Sequence, residues 1–272
     1  MDKFLRKIST LLVYLFLICN SILVLGPVIW TIMASFKKGN NLFSSTFSGI
    51  EFTFDHYITL FTDTPYMQWY LNTFILATAN MLISLFVVTM TAYVFSRYRF
   101  RGKRNTLMSI LVLQMFPAFL SMTAIYILLS KANLIDTYTG LLLVYVTGSL
   151  PFMTWLVKGY FDAIPTSLDE AAKIDGAGHL TIFIQIILPL AKPILVFVGL
   201  VSFTGPWMDF ILPTLVLRSE DKMTLAIGIF SWIAYHTAIC SDKLASRREA
   251  LKIELYHLLI RLFRQLFQRL AH

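Results

Sequence analysis

Residues 165–179 read Pro165-Thr166-Ser167-Leu168-Asp169-Glu170-Ala171-Ala172-Lys173-Ile174-Asp175-Gly176-Ala177-Gly178-His179. They continue as Leu180-Thr181-Ile182-Phe183-Ile184-Gln185-Ile186-Ile187-Leu188-Pro189. The segment from Lys158 to Lys192 carries Asp162, Asp169, Glu170, Lys173, Asp175 and His179, which makes it too polar to cross a membrane, yet it keeps a helical period. Ser167 followed by Glu170 predicts a capping box, the serine oxygen capping the first turn while the glutamate reaches back. Gly176 and Gly178 predict the end of that helix, because only glycine takes a left-handed turn without strain. A second short helix is expected from His179 to Leu188, with Pro189 and Pro193 opening the apolar run that follows. The stretch is therefore expected to form a helix–turn–helix lying on a membrane surface.

The sequence on either side is apolar. Five runs are long enough to cross a hydrocarbon layer of ~30 Å as helices: Leu11–Phe36, Leu71–Phe95, Thr106–Leu129, Tyr138–Val157 and Pro193–Leu217. A sixth stretch, Thr224–Cys240, is marginal and carries His236. Over all 272 residues 57% are hydrophobic and 14% charged, against roughly 25% charged in an ordinary soluble domain. Mean hydropathy is +0.70. One soluble core could not hide so much apolar surface, so lipid is the expected solvent. The net charge of +8 does not suggest nucleic acid, since the basic residues sit in short clusters between apolar runs. Cys19 and Cys240 both fall in apolar runs and predict no structural disulfide. Lys3, Arg6 and Lys7 precede a run too long for a signal core, so an uncleaved first span is expected.

Charge then orients the runs. Arg97-Tyr98-Arg99-Phe100-Arg101-Gly102-Lys103-Arg104 holds five positive charges in eight residues and no acid, which places it in the cytoplasm with the N-terminal cluster. The loop from Lys37 to Tyr70, with Glu51, Asp55 and Asp63, belongs outside. By alternation the polar segment from Lys158 to Lys192 is cytoplasmic.

Glu170-Ala171-Ala172, three residues, Gly176, nine residues, then Ile186-Ile187-Leu188-Pro189 fills every fixed position of a known signature. A chance match is on the order of one in a hundred million per register at ordinary residue usage. The chain resembles the permeases of binding-protein-dependent ABC importers, whose "EAA" loop it reproduces. Flanking residues resemble the carbohydrate branch: Lys158-Gly159-Tyr160-Phe161, Ile164-Pro165, Asp175-Gly176-Ala177, Trp207-Met208-Asp209-Phe210-Ile211-Leu212-Pro213 and Thr224-Leu225-Ala226-Ile227-Gly228. Within that branch the chain is similar to the shorter maltose/maltodextrin permeases from about residue 10 to about 237. The resemblance implies an all-α integral membrane protein of five or six transmembrane helices with a cytoplasmic coupling helix. It implies ATPase-coupling roles for Glu170, Ala171, Ala172, Asp175, Gly176, Ile186, Leu188 and Pro189. The partners it implies are ATP-binding subunits, a second permease and an extracytoplasmic solute-binding protein, besides membrane lipid, at the cytoplasmic membrane of a prokaryote. The resemblance further implies alternating access, with an oligosaccharide of the malto class moving inward. It divides the chain into an N-terminal helix and external loop over 1–66, a permease core over 67–240 with its coupling loop at about 158–192, and an atypical tail over 241–272.

No phosphate-binding G-x-x-x-x-G-K-[ST] loop occurs, so ATP hydrolysis falls to a partner. H-E-x-x-H and G-x-S-x-G are also absent, the five histidines lack ligand spacing, and neither catalytic residue, metal nor cofactor is expected. The rival reading, a secondary transporter or channel without an ATPase, predicts ionisable residues deep in several spans. Only Asp209 and His236 qualify. For the translocation path the expected lining is Ser202, Thr204, Trp207 and Asp209, with Gln114 and Met115 weaker, because a sugar needs hydroxyl partners and an aromatic plate. Asp209 fits equally an interfacial position with no such role. After Thr237 the family's last apolar span is missing. The tail carries Lys243, Arg247, Arg248, Lys252, Arg261, Arg264 and Arg269. Of its residues Lys252, His257, Arg261, Arg264, Gln265, Gln268 and Arg269 face away from an apolar stripe, which predicts a basic amphipathic surface helix from about Ala250 to Leu270 on the cytoplasmic side. A shifted reading frame accounts for the same departure.

Overall fold

The computed structural model describes residues 2–38, 52–115 and 118–244. All regular structure among them is helical, apart from one isolated bridge between Lys37 and Phe52. The chain divides into two compact units at Pro65 and Tyr66.

In the first unit α1 runs from Asp2 to Ser35 and continues through Pro27. A short helix, α2 (Asp55–Thr62), is stitched to its end. Phe36 lies edge-on to Phe54 at 5.5 Å and tilted against Tyr57 at 5.4 Å. The hydroxyls of Ser35 and Tyr57 meet at 2.7 Å.

The second unit is built around α3 (Tyr66–Arg97), which packs along its length against α6 (Tyr138–Ala163) and α10 (Lys192–Met208). Its buried face repeats at helical spacing as Thr73, Ala77, Asn80, Ser84, Val88 and Ala92. Small and weakly polar residues of this kind let helix backbones approach in lipid, where packing rather than water exclusion drives association. The opposite face, with Leu82, Ile83 and Phe86, is exposed and suits acyl chains. Asn80 Nδ2 donates across the seam to the Ser202 carbonyl at 2.6 Å, and within α3 Ser84 Oγ donates to Asn80 Oδ1 at 3.3 Å.

Among the described residues three helical segments are long and apolar enough to cross a membrane: Thr10–Ser35, Tyr66–Arg97 and Tyr138–Ala163. A fourth is a bent pair, His179–Leu190 with Lys192–Met208, meeting at 81°. Two expected continuous spans are broken. The run Thr106–Leu129 is divided between α4 (Lys103–Gln114) and α5 (Ala118–Lys131), with Pro117, which has no N–H to donate, falling between them. The run Pro193–Leu217 stops at Met208 and resumes as α11 (Ile211–Val216). From Leu225 on, the stretch Thr224–Cys240 falls in one helix, α12 (Leu225–Leu244). It packs so closely on α3 that a Cβ added to Gly228 would stand 2.0 Å from the Trp69 ring. The expectations for the tail from residue 245 onward lie outside the described residues.

Apolar packing falls into two clusters. One joins Val88, Tyr93, Val157, Phe161, Phe183 and Ile187, toward the Arg97 end of α3. The other joins Leu76, Leu141, Leu212, Val216 and Ile227, toward the Tyr66 end.

Candidate functional site

The polar island of the sequence forms α7 (Thr166–Ile174) and α8 (His179–Ile182) at the Arg97 end of the bundle. The expected capping box does not form. The helix begins two residues earlier than that box requires, with Pro165 in the N-cap position and no side-chain cap. Ser167 therefore lies inside the first turn, and Glu170 is exposed with no hydrogen bond among the described residues. The helix end is as expected. Gly176 has φ +85°, its N–H bonds the Lys173 carbonyl at 3.0 Å, and the Ala177 N–H reaches the Ala172 carbonyl at 2.9 Å. These two bonds make a Schellman motif, and a side chain at Gly176 would strain it.

Beyond the turn the chain is helical from His179 to Leu190, interrupted by a π turn over Phe183–Ile187. Ile182, Phe183 and Ile187 are buried, and Ile186 and Leu188 pack half-buried against the same cluster. The ring of Phe183 lies 4.7 Å from that of Tyr93, and Tyr93 Oη donates to the His179 carbonyl at 3.3 Å. The signature residues thus divide by task. Ile186, Leu188 and the half-buried Ala172 seat the segment, whereas Glu170, Ala171, Asp175, Gly176 and Pro189 are exposed.

Two residues the sequence reading passed over hold α7 in place. Arg97 Nε, in the last turn of α3, stands 2.7 Å from Asp169 Oδ2, both side chains less than a tenth exposed. The Nε–H is not aimed along that approach, so the contact is ionic, while Nη2 donates to the Ile164 carbonyl at 3.1 Å. Ser96 Oγ adds a bond to Asp162 Oδ1 at 2.7 Å. The only sequence signal was position: an arginine closing an apolar helix and an acid next to Glu170. Nothing local says that they meet. The site also presents apolar side chains outward, with Ile174 87%, Leu180 62% and Leu168 42% exposed.

The opposite end of the unit is closed by Asp136, which sits at φ 61° between α5 and α6. Its Oδ1 accepts from the backbone N–H of Arg218 at 2.8 Å and Ser219 at 3.0 Å. Its Oδ2 accepts from Ser219 Oγ and from Lys222 Nζ, the latter at 3.1 Å. Partial burial would raise the carboxyl pKa, but these four donors outweigh it and hold the group well below the ordinary carboxylate range. Gln68 and Asn72 of α3 donate to the Asp221 carbonyl at 2.9 and 2.8 Å.

Between the ends lie the residues expected along a path. Ser202 is buried with its Oγ unpartnered, and the hydroxyl of the exposed Thr204 turns back to the Leu200 carbonyl at 2.9 Å. Trp207 packs edge-on to Tyr70 at 5.2 Å and tilted against Phe203 at 5.9 Å, its Nε1 unpartnered. Tyr70, Phe74, Phe203 and Trp207 form an aromatic wall, legible in hindsight as paired aromatics four residues apart on each of two helices. Asp209 has local partners: Oδ1 caps α11 through the N–H groups of Ile211 at 3.0 Å and Leu212 at 3.3 Å, and Oδ2 accepts from Tyr145 Oη at 3.0 Å. Gln114 is exposed at the end of α4, with no hydrogen bond to this group among the described residues.

Residues 88–240 match the family described as the binding-protein-dependent transport system inner membrane component. The maltodextrin transport system permease protein MdxG of Bacillus subtilis is 41% identical over 84% of this chain and 82% of its own length. The galactooligosaccharides transport system permease protein GanQ of the same organism is 42% identical with the same coverage. The fold also matches a solved bacterial ABC transporter involved in import of the polysaccharide alginate. That match has a TM-score of 0.70 at 24% identity and covers 92% of this chain and 86% of the other. A helix–turn–helix with a complete signature, seated on a bundle of apolar helices, and relatives matched over most of their length place the chain in one family: it is an inner membrane component of a binding-protein-dependent transport system, an ABC importer permease.

Proposed function

We propose that this chain is the permease subunit that moves a malto-oligosaccharide inward across a bacterial cytoplasmic membrane by alternating access. A separate pair of ATP-binding subunits powers it, a second permease completes the pathway, and an extracytoplasmic solute-binding protein delivers the sugar. The observation that carries this reading is the α7–Gly176–α8 unit. Its inner side is fixed to α3 by the Arg97–Asp169 pair, while Glu170 and the apolar Leu168, Ile174 and Leu180 remain outward. An exposed apolar rim on a polar helix marks a docking surface. The helical stretch His179–Leu190 that continues this unit meets α10 at 81°, and a rigid element so joined passes a push from a closing ATPase dimer to the spans as a rigid-body movement.

In this reading the Arg97 end faces the cytoplasm and the Asp136 end faces outward. The broken α4–α5 pair and α12 count as further crossings, giving five or six. Trp207 with its aromatic neighbours offers a plate for a sugar ring, Ser202 and Thr204 offer hydroxyls, and Asp209 acts through Tyr145. Cysteine substitution tests the orientation: position 101 is labelled only from the cytoplasm and position 55 only from outside. Labelling of both from one face overturns it.

The maltodextrin assignment rests on likeness to MdxG, and the equal likeness to GanQ favours a second substrate class, galacto-oligosaccharides. One experiment decides between them. The four-part complex, reconstituted in proteoliposomes, is expected to hydrolyse ATP faster and accumulate labelled sugar when the binding protein carries maltotetraose. Stimulation by a galacto-oligosaccharide instead assigns the other class. ATP-independent uptake by the permeases alone overturns the importer reading.

A further inference from the structure

The basic turn between α3 and α4 carries more charge than the fold uses. Arg97 is taken by Asp169. Lys103 Nζ donates to the carbonyls of Ser96 at 3.4 Å and Tyr98 at 3.2 Å, which closes the end of α3. Arg99, Arg101 and Arg104 are exposed and make no ion pair among the described residues. Between this turn and α6 lies a cavity of about 570 Å³. Lys103, Arg104 and Lys158 give it a cationic side, and Phe100, Met108 and Trp155 give it an apolar one. The acid beside it, Asp162, is already engaged by Lys158 and by Ser96 Oγ. The cavity therefore keeps a positive excess.

Two further features fix the kind of anion that fits. Trp155 Nε1 donates to the Leu107 carbonyl at 3.1 Å, which ties α6 to α4 at the level of the basic turn. An indole with one polar and one apolar edge suits the depth where headgroups meet hydrocarbon. From the cavity α4 runs on with Met108, Leu111, Val112 and Met115 exposed, a strip for acyl chains leading away from the charges. A soluble phosphate would use only the cationic side, whereas a lipid uses both.

We propose that this cavity binds an anionic phospholipid, its phosphate against Arg104 and Lys103 and its acyl chains along α4. Basic pockets between membrane helices hold lipid headgroups in this way. The site has the shape of a clamp: a lipid seated there bridges the α3–α4 turn to α6, the helix that leads directly into α7. The proposal needs only that the chain spans a membrane, and stands apart from the sugar assignment.

The test uses the intact transporter, purified in mild detergent from membranes containing phosphatidylglycerol, with retained lipid measured by mass spectrometry. Wild type is expected to keep phosphatidylglycerol through detergent exchange, and Arg104→Gln to reduce its retained fraction about fivefold, the effect of one basic residue at a charged interface. Arg104→Glu should remove it, while Arg218→Gln at the far end should change nothing. Millimolar inorganic phosphate should not displace the lipid. Equal retention by Arg104→Glu overturns the proposal, as does displacement by phosphate, which would mark a soluble-anion site. A cross-link from Met108→Cys to the second permease would also overturn it, because protein would then fill the cavity.

Discussion

At the Arg97 end of the bundle a single buried ion pair holds α7 against α3, and much of the outward surface is apolar side chain with no partner. At the Asp136 end a carboxylate collects four donors, two of them backbone N–H groups, while Gln68 and Asn72 bracket the neighbouring loop. The first arrangement rests on one buried ion pair, backed by the Arg97–Ile164 and Ser96–Asp162 hydrogen bonds, and leaves apolar side chains exposed. The second spreads its bonds over α3, the α5–α6 connection and the loop after α11, and closes them on itself. A segment that transmits movement needs one stiff joint and a free face. A loop that closes the far ends of helices needs many small ties.

That contrast can be broken most sharply at its single joint. Asp169→Asn leaves Arg97 charged, buried and unpaired, and is expected to cost about 3–5 kcal/mol. A thermal scan of the detergent-solubilised protein measures it. Replacing both partners with leucine should restore most of that stability, since the penalty lies in the orphaned charge rather than in a lost attraction. If Asp169→Asn melts with wild type, the joint does not exist as described.

At the other end Asp136→Asn should cost less, about 1.5–3 kcal/mol, because the backbone donors keep an acceptor while Lys222 loses its charge partner. The pH dependence has a defined sign. The folded carboxyl titrates below the unfolded one, so its contribution is full above about pH 4 and drains away only as pH falls through the depressed value. Melting midpoints of wild type and Asp136→Asn should differ at pH 7 and converge in strong acid. A difference that grows on acidification would reverse the assignment.

Gly176→Val is expected to cost about 1–3 kcal/mol by forcing a β-branched residue to a positive φ. Its effect on ATP-driven uptake should be far larger than its effect on membrane insertion, which a fractionation assay compares directly. Wild-type uptake in this variant removes the coupling role from the turn. The smallest structural effect belongs to Glu170→Ala. The side chain is exposed and makes no bond among the described residues, so stability should move by less than about 0.5 kcal/mol. Co-purification of the ATPase should nevertheless fall, and unchanged co-purification would sharpen the site to its apolar residues alone.

Much of this was legible in the chain. Apolar runs of about 20 residues mark spans whatever their neighbours, because lipid leaves the backbone no partner but itself. The end of α7 was legible because a positive φ at Gly176 is a local demand. Its beginning was not legible: Ser167 and Glu170 have capping-box spacing, yet the helix begins at Thr166 with Pro165 in the N-cap position. The broken spans were hidden because hydropathy counts composition and not continuity. The Asp209 cap, for one, restarts a helix after Met208 without lowering the apolar count.

The sequence by itself determined that the protein belongs in a membrane, that a polar island interrupts its spans and that the island turns at Gly176. Those properties depend on residues near one another along the chain, where hydropathy, backbone freedom and spacing act directly. Only the tertiary structure decided that Arg97 finds Asp169, that Asp136 closes the far end, that Asp209 meets Tyr145 and that Gly228 meets the face of Trp69. Each is a meeting of residues distant in sequence, and charge or size alone gives a side chain many possible partners. The packing of α3 against its neighbours selects one of them, because close approach in lipid is possible only along the face where small residues let the backbones touch.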